Sequence, residues 1–66
     1  MNTKDPATLR AIAEVASNAS TATYLMLNGV ADRVDPITRE RIVSAATRNE
    51  ELAATLRKQA EDLESD

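Results

Sequence analysis

The sequence predicts an all-α fold, and three observations support this prediction. Asp5-Pro6 and Asp35-Pro36 each place an acidic N-cap residue before a proline, which suits the first position of a helix. Apolar residues recur at helical spacing after both pairs. No segment shows the alternating pattern of a β-strand. Two helix starts are therefore marked, thirty residues apart in the chain.

Chain length and composition limit the protein to one small domain. A chain of 66 residues buries only about 60% of its unfolded surface and is usually marginal alone. It contains no cysteine and no histidine, so disulfides and thiolate or imidazole metal sites are excluded. Tyr24 is the single aromatic residue, which leaves the core to aliphatic and alanine side chains. Oligomerisation is the expected additional source of stability.

The same composition argues against catalysis. Histidine and cysteine are the commonest bases and nucleophiles, and one glycine cannot build a phosphate-binding loop. The acidic pairs Glu50-Glu51 and Glu61-Asp62 are expected on a solvated helix face. We therefore expect no enzyme activity, no cofactor and no metal.

The first half of the chain predicts two short helices. The first covers residues 6–16, where Leu9, Ile12, Ala13 and Ala16 share one helical face. Ser17-Asn18-Ala19-Ser20 then offers turn and capping chemistry, and a second helix over residues 20–27 ends at Asn28-Gly29. The alternative is one continuous helix over residues 6–34, because the apolar phase is sustained across this segment. The residues in phase are Ile12, Ala16, Ala19, Thr23, Met26 and Val30.

A long amphipathic helix is predicted from Pro36 onward. Ile42, Asn49, Leu56 and Leu63 are spaced by seven residues, which permits a coiled coil with Asn49 as the residue that fixes its register. The alternative is packing within the same domain. For residues 51–64 we favour dimer packing, because no other segment is left to cover the apolar stripe. The candidate dimerisation residues are Asn49, Leu52, Leu56 and Leu63.

Charge is distributed unevenly along the chain. The net charge is −3, and the acidic excess lies in the second half, so the overall balance provides no basic footprint for nucleic acid. Residues 15–31 contain no charged side chain, and we call this segment the uncharged tract. Such a helix is expected to be buried on several sides or to press against a partner. No signal peptide or membrane span is recognised, so we expect a cytoplasmic protein without membrane contact.

Residues 8–48 resemble the N-terminal headpiece of lactose-repressor (LacI)-type transcription factors. The resemblance rests on Leu9-Arg10-Ala11-Ile12-Ala13-Glu14-Val15-Ala16, then Leu27-Asn28-Gly29, then Thr38-Arg39-Glu40-Arg41-Ile42 leading into Ala45-Ala46. It implies a three-helix helix-turn-helix domain over residues 6–48, whose second helix enters the DNA major groove. Residues 49–66 would then form an extended C-terminal helix that mediates dimerisation. The alternative fold is a two-helix α-hairpin.

The resemblance also implies a set of DNA contacts. Ser20, Thr21 and Leu25 fall on the positions that contact base edges. At such positions the hydroxyl groups of serine and threonine can form hydrogen bonds with several different bases. Asn28 and Thr38 match positions that approach the phosphate backbone, and Arg33 lies in the adjacent loop. The full candidate set for double-stranded DNA is Ser20, Thr21, Tyr24, Leu25, Asn28, Arg33, Thr38 and Arg39. The sugar-binding domain of the family has no counterpart here, so no small-molecule effector is expected.

Two main function classes follow from the sequence. The first is a small DNA-binding transcriptional regulator that forms a homodimer through its C-terminal helix. The second is a protein-binding regulatory module on the same frame, which has lost its DNA-reading face and uses Tyr24, Leu25 and Met26 as an apolar contact surface. A helical-hairpin homodimer with a structural or RNA-related role is a third, less favoured class.

Overall fold

Two long antiparallel helices joined by a short turn make up the fold. The computed structural model describes residues 5–65. Helix α1 spans Pro6–Val30, a single 3-10 turn spans Ala31–Arg33, and helix α2 spans Pro36–Glu64. The predicted all-α class is confirmed, and among the two alternatives the two-helix α-hairpin agrees with the structure.

The predicted turn at residues 17–20 does not form, so the three-helix division is wrong. Ser17, Asn18 and Ser20 lie inside α1 with no interruption of the helix. Outside Pro and Gly, residue types differ in helix propensity by less than about 0.7 kcal/mol, and no Pro or Gly lies between Ala7 and Asn28. A continuous helix also keeps Leu9 and Leu27 on the same face, and both are buried. The packing of that whole face outweighs the local preference for a turn.

The helix starts agree with the prediction. The carboxylate of Asp5 accepts a hydrogen bond from the Ala7 N–H at 3.2 Å and one from the Thr8 hydroxyl at 2.7 Å. Asp35 accepts the Thr38 N–H at 3.0 Å. Each acid therefore satisfies an N–H that the first helical turn leaves unpaired. The predicted stop at Asn28-Gly29 comes slightly early, because α1 continues to Val30.

The turn is held closed by one long side chain. The guanidinium of Arg39 donates to the carbonyl oxygens of Ala31 at 2.7 Å and Val34 at 3.2 Å. Val34 also donates its N–H to the Ala31 carbonyl at 3.4 Å. Carbonyl groups at the end of α1, which have no partner within the helix, are thereby satisfied from the first turn of α2.

Small side chains line the contact between the helices, and we call this contact the seam. On α2 the buried positions are Ala46, Ala53 and Ala60, which recur every seven residues and are at most 1% exposed. On α1 they are Ala13, Ala16 and Ser20, with Leu9 and Leu27 at either end. On α2 the half-buried Asn49 and Leu56 lie between the alanines, so both helices show a three-and-four spacing, which is the pattern of coiled-coil packing. Small residues allow the helix axes to approach at the short end of the 8–10 Å range.

The hairpin is one helix thick. Its extents are 49 × 19 × 16 Å, and neither of the two short extents reaches two helix diameters of about 10–12 Å. Stable domains usually bury each helix against a second layer. The seam is therefore the single internal contact of the described helices, and both broad faces of the hairpin remain open.

We predict that the seam has no room for larger side chains. Ala53→Leu should lower the free energy of unfolding by about 1–3 kcal/mol, because the extra atoms force the helices apart. Ala54→Leu is the matched control, since Ala54 is exposed on the next position of α2, and its effect should stay within about 0.5 kcal/mol. Urea unfolding followed by circular dichroism, at one fixed protein concentration, measures both. Equal effects of the two substitutions would contradict the close approach.

The cap of α2 should make stability depend on pH in a defined window. Hydrogen bonds from the Thr38 side chain and backbone hold the pKa of Asp35 below its ordinary value of 3.8. When folding lowers the pKa of a carboxylate, its ionised form stabilises the folded state fully at pH values above the pKa of the unfolded chain. This stabilisation is lost as the pH falls through the pKa of the folded state. The wild-type protein should therefore melt higher than Asp35→Ala at neutral pH, and the difference should shrink below about pH 4.

Asp35→Asn is the control for this titration, because asparagine caps helices well but carries no proton-dependent charge. Its advantage over Asp35→Ala should be the same at every pH. Thermal midpoints measured by circular dichroism between acidic and neutral pH provide the comparison. If the thermal midpoint of the wild-type protein exceeds that of Asp35→Ala by the same amount at the lowest pH, ionisation of the cap is not the source of the added stability.

Candidate protein-binding face

Ser20, the first residue of the candidate DNA-reading set, lies inside the seam. Its side chain is 0% exposed, and its hydroxyl has no hydrogen-bond partner among the described residues. The cause is the continuity of α1, which turns position 20 toward α2 together with Ala13 and Ala16. A side chain enclosed between two helices cannot reach a base edge, so this arrangement does not present Ser20 to DNA.

The other α1 members of that set are divided between two sides of the helix. Thr21, Leu25 and Asn28 are exposed and share one side, since they follow each other by four and three residues. Tyr24 is half-buried, and its hydroxyl lies 3.1 Å from the Thr47 hydroxyl of α2. Tyr24 therefore helps to align the two helices, while the other three form a mixed, mostly polar strip.

The remaining members lie at the turn. Arg33 is exposed in the 3-10 turn, Thr38 is exposed and gives its N–H to the Asp35 cap, and Arg39 closes the turn with its guanidinium. The structure brings these three together but holds them apart from Ser20. Helix-turn-helix docking needs a second helix that crosses the first and projects from it. In the described residues the two helices are antiparallel neighbours, and that projection is not formed.

The candidate dimerisation residues are partly occupied within the chain. Asn49 and Leu56 are half-buried, and Leu56 packs against the cluster of Ala13, Ala16 and Ala53. Leu52 and Leu63 remain more open, at 46% and 38% exposure. The sequence predicts no cover for this stripe inside the chain, but α1 covers most of it because α1 is one long helix. A dimerising role for these residues stays a prediction.

A second apolar stripe runs along α1 beside the seam, and we call it the outer stripe. Its members are Ile12, Val15, Ala19, Ala22 and Met26. They follow the same alternation of three and four residues as the seam, displaced by one position. Val15 and Met26 are 69% and 70% exposed, and Ala19 and Ala22 are exposed between them. Ile12 is half-buried, whereas the other four members remain exposed.

The two sides of the hairpin where the helices meet differ in chemistry. One side holds a groove of 350 Å³ with almost entirely apolar walls, formed by Ala22, Met26, Val30, Val34 and Ile42 with Thr23 and Leu27. It adjoins the outer stripe. The other side holds a polar groove of 500 Å³ lined by Arg10, Glu14, Asn18, Arg57 and Glu61. Arg10 and Glu14, the charged residues of α1 itself, therefore lie on the side away from the outer stripe.

An ion pair closes the polar side at the end opposite the turn. The guanidinium of Arg10 makes a two-pronged contact with the carboxylate of Glu64, one arm of which measures 2.7 Å from Nη1 to Oε2. The hydrogen bond with Arg10 lowers the pKa of Glu64, and the same bond raises the pKa of Arg10. Both groups are solvent-exposed, so the pair contributes alignment more than stability.

Of the outer stripe, only Met26 belongs to the apolar contact surface predicted from the sequence, which grouped it with Tyr24 and Leu25 on other sides of α1. The sequence contains a signal for this stripe, because Ala19, Ala22 and Met26 recur at helical spacing and the uncharged tract includes them. Dividing α1 at residues 17–20 separated Ile12 and Val15 from the other members. Two apolar stripes displaced by one position are typical of a helix that packs against two neighbours.

Comparison with known proteins gives no match: no family model, no curated protein and no solved structure matches this chain. Neither of the two described helices is long and apolar enough to cross a membrane.

Replacing Ser20 should stabilise the protein. A buried hydroxyl without a partner costs about 1–3 kcal/mol, and Ser20→Ala removes it while matching the other small residues of the seam. Ser44→Ala is the control for helix propensity, because Ser44 is exposed within α2. We expect Ser20→Ala to raise the free energy of unfolding by about 1–2 kcal/mol more than Ser44→Ala, measured by urea unfolding. A loss of stability at Ser20 alone would show that its hydroxyl is needed.

Proposed function

We propose that the chain is a protein-interaction module, in which α2 supports α1 and α1 presents its outer stripe to a helical partner. The observation that carries this proposal is the exposure of Val15 and Met26, at 69% and 70%, on a continuous uncharged side of α1. Contiguous apolar patches on small soluble proteins usually mark interaction sites. The function is therefore assembly with another protein, with no chemical step.

The spacing of the outer stripe indicates what kind of surface it binds. Its members repeat by three and four residues over about four helical turns, with small residues at Ala19 and Ala22 in the middle. This is the pattern that another helix fills by inserting side chains between those of the stripe. An extended peptide would instead need unpaired backbone groups, and the middle of a helix offers none.

Protein is favoured over DNA as the partner for an electrostatic reason. Affinity for DNA comes largely from arginine and lysine contacts to phosphate, and residues 15–31 supply no cation. Of the arginines bordering this segment, Arg10 is paired with Glu64 and Arg39 is engaged with the carbonyl groups of the turn. Burial of Ser20 removes one of the predicted base-reading groups as well.

Two neighbouring residues provide a matched test of the outer stripe. Met26 belongs to the stripe, whereas Leu25 faces another side of α1, and their exposures of 70% and 66% are nearly equal. We expect Met26→Lys to abolish partner binding and Leu25→Lys to preserve it, because only the first places a charge in the contact. The measurement is photo-crosslinking in cells, with p-benzoylphenylalanine replacing Ala22 and products resolved by mass.

A discrete protein adduct that depends on Met26 and not on Leu25 is the expected result. If the adducts are equally sensitive to both lysines, or if position 22 yields none, the outer stripe is not a binding face and the proposal is wrong. The DNA alternative is tested on the same variants by fluorescence anisotropy with a random-sequence duplex. Three results together would favour DNA instead. The affinity for the duplex would fall steeply with salt concentration, Asn28→Ala and Arg33→Ala would bind it more weakly, and Met26→Lys would bind it as the wild-type protein does.

A further inference from the structure

Resting on this proposed function, we infer that the partner on the outer stripe is a second copy of this chain, with the two α1 helices antiparallel across a two-fold axis. The second copy of the chain would thus occupy the outer stripe. It is carried by three observations: the surface area of the chain, the symmetry of the outer stripe, and the open space at Gly29.

The surface area of one chain is too large for a self-sufficient fold of its mass. A folded monomer of 7.1 kDa typically exposes roughly 4,100 Å², whereas this chain exposes 4917 Å². This total covers all 66 residues, and its difference from the typical value is of the order of the about 800 Å² that each partner contributes to a protein interface of standard size. One additional contact of ordinary extent, repeated on both copies, brings the chain to the surface expected of a folded protein.

The part of the outer stripe from Val15 to Met26 is symmetric about its midpoint. An antiparallel two-fold centred between positions 20 and 21 sets Ala19 of one copy against Ala22 of the other, and Val15 against Met26. Small residues then meet at the centre, where the helices come closest, and larger ones meet on both sides. An isologous interface requires this kind of self-complementarity, because the same surface serves both partners.

Gly29 completes the pattern at the edge of the stripe. The same two-fold sets Ile12 of one copy against Gly29 of the other. A Cβ built on Gly29 would have nothing within 4 Å, so there is open space beside the backbone at this position. A large side chain from the second copy can occupy that space. The groove formed by Met26, Val30 and Ile42 adjoins it and receives the N-terminal half of the other α1.

Charge also favours α1 over α2 as the central element. No charged side chain lies between Val15 and Ala31, so pairing two α1 helices buries no ion. On α2 the corresponding side carries Arg48, Gln59 and Asp62, and Leu52 is its one large apolar residue. The antiparallel direction also sets opposite ends of the two helix dipoles side by side. The resulting assembly has four helices, with both α1 in the middle and both α2 outside.

Sedimentation equilibrium of the full chain measures the stoichiometry. We expect the wild-type protein and Leu25→Lys to sediment at twice 7.1 kDa, and Met26→Lys to sediment at 7.1 kDa. The thermal midpoint of the wild-type protein should rise with protein concentration, since dimerisation stabilises the folded form by mass action. A dimer that survives Met26→Lys overturns the inference, because its contact must then lie elsewhere.

A second measurement tests the direction of pairing and does not require a charged variant to fold. The sequence has no cysteine, so Val15→Cys and Met26→Cys each introduce a single thiol. When the two variants are mixed and mildly oxidised, we expect the mixed disulfide to exceed either homodimer several-fold. Predominant homodimers would show a parallel pair and overturn the antiparallel assignment. Reversed-phase chromatography with mass detection resolves the three products.

Failure of the inference is distinguishable from failure of the proposed function. A wild-type chain that stays at 7.1 kDa at every concentration overturns the second copy as partner. If the adduct formed from position 22 is then a different protein and still depends on Met26, the outer stripe remains a binding face. If no such adduct forms, both proposals are wrong.

Discussion

The closeness of α1 and α2 is set by the alanine and serine side chains between them, and most properties of the hairpin depend on it. Small residues bring the two backbones into near contact, so dispersion is gained along the whole length of the seam. The same residues bury little apolar area, because an alanine methyl contributes about 0.8 kcal/mol where a leucine contributes about 1.5–3. The seam is thus closely packed but thin as a core, and the chain depends on its helix caps, its turn and its open face.

The two helices differ in composition because they differ in the number of sides that are apolar. Helix α2 packs on one side, and it carries most of the charged residues of the chain on its remaining surface. Helix α1 has apolar stripes on two adjacent sides, and charge is absent from residues 15–31. A helix between two neighbours can keep charge only on a narrow side, and here that side lies along the polar groove with Arg10 and Glu14.

The boundaries of the hairpin were predictable from the sequence, and its middle was not. Asp5-Pro6 and Asp35-Pro36 mark helix starts through local chemistry, which depends on a few adjacent residues. The segment from Ser17 to Ser20 has the same kind of local preference for a turn, but the packing of a long face decides the outcome there. The sustained apolar phase from Ile12 to Val30 indicated the continuous helix as an alternative, but that face packs against α2, so the choice depends on contacts distant in the sequence. The outer stripe becomes visible only when α1 is taken as continuous.

A seam of small residues that repeats every seven positions fixes the alignment of the helices only weakly. Sliding α2 by one heptad, about 10.5 Å along its axis, would set Ala53 where Ala60 lies and Ala46 where Ala53 lies, while Arg39 would take the place of Ala46. The alanines therefore hold the helices together but do not alone decide which residues face each other. That choice falls to three polar contacts: Arg39 on the carbonyl groups of the turn, Tyr24 on Thr47, and Arg10 on Glu64. In this hairpin the alanines hold the two helices together, and a few hydrogen bonds near the surface determine how the helices are aligned.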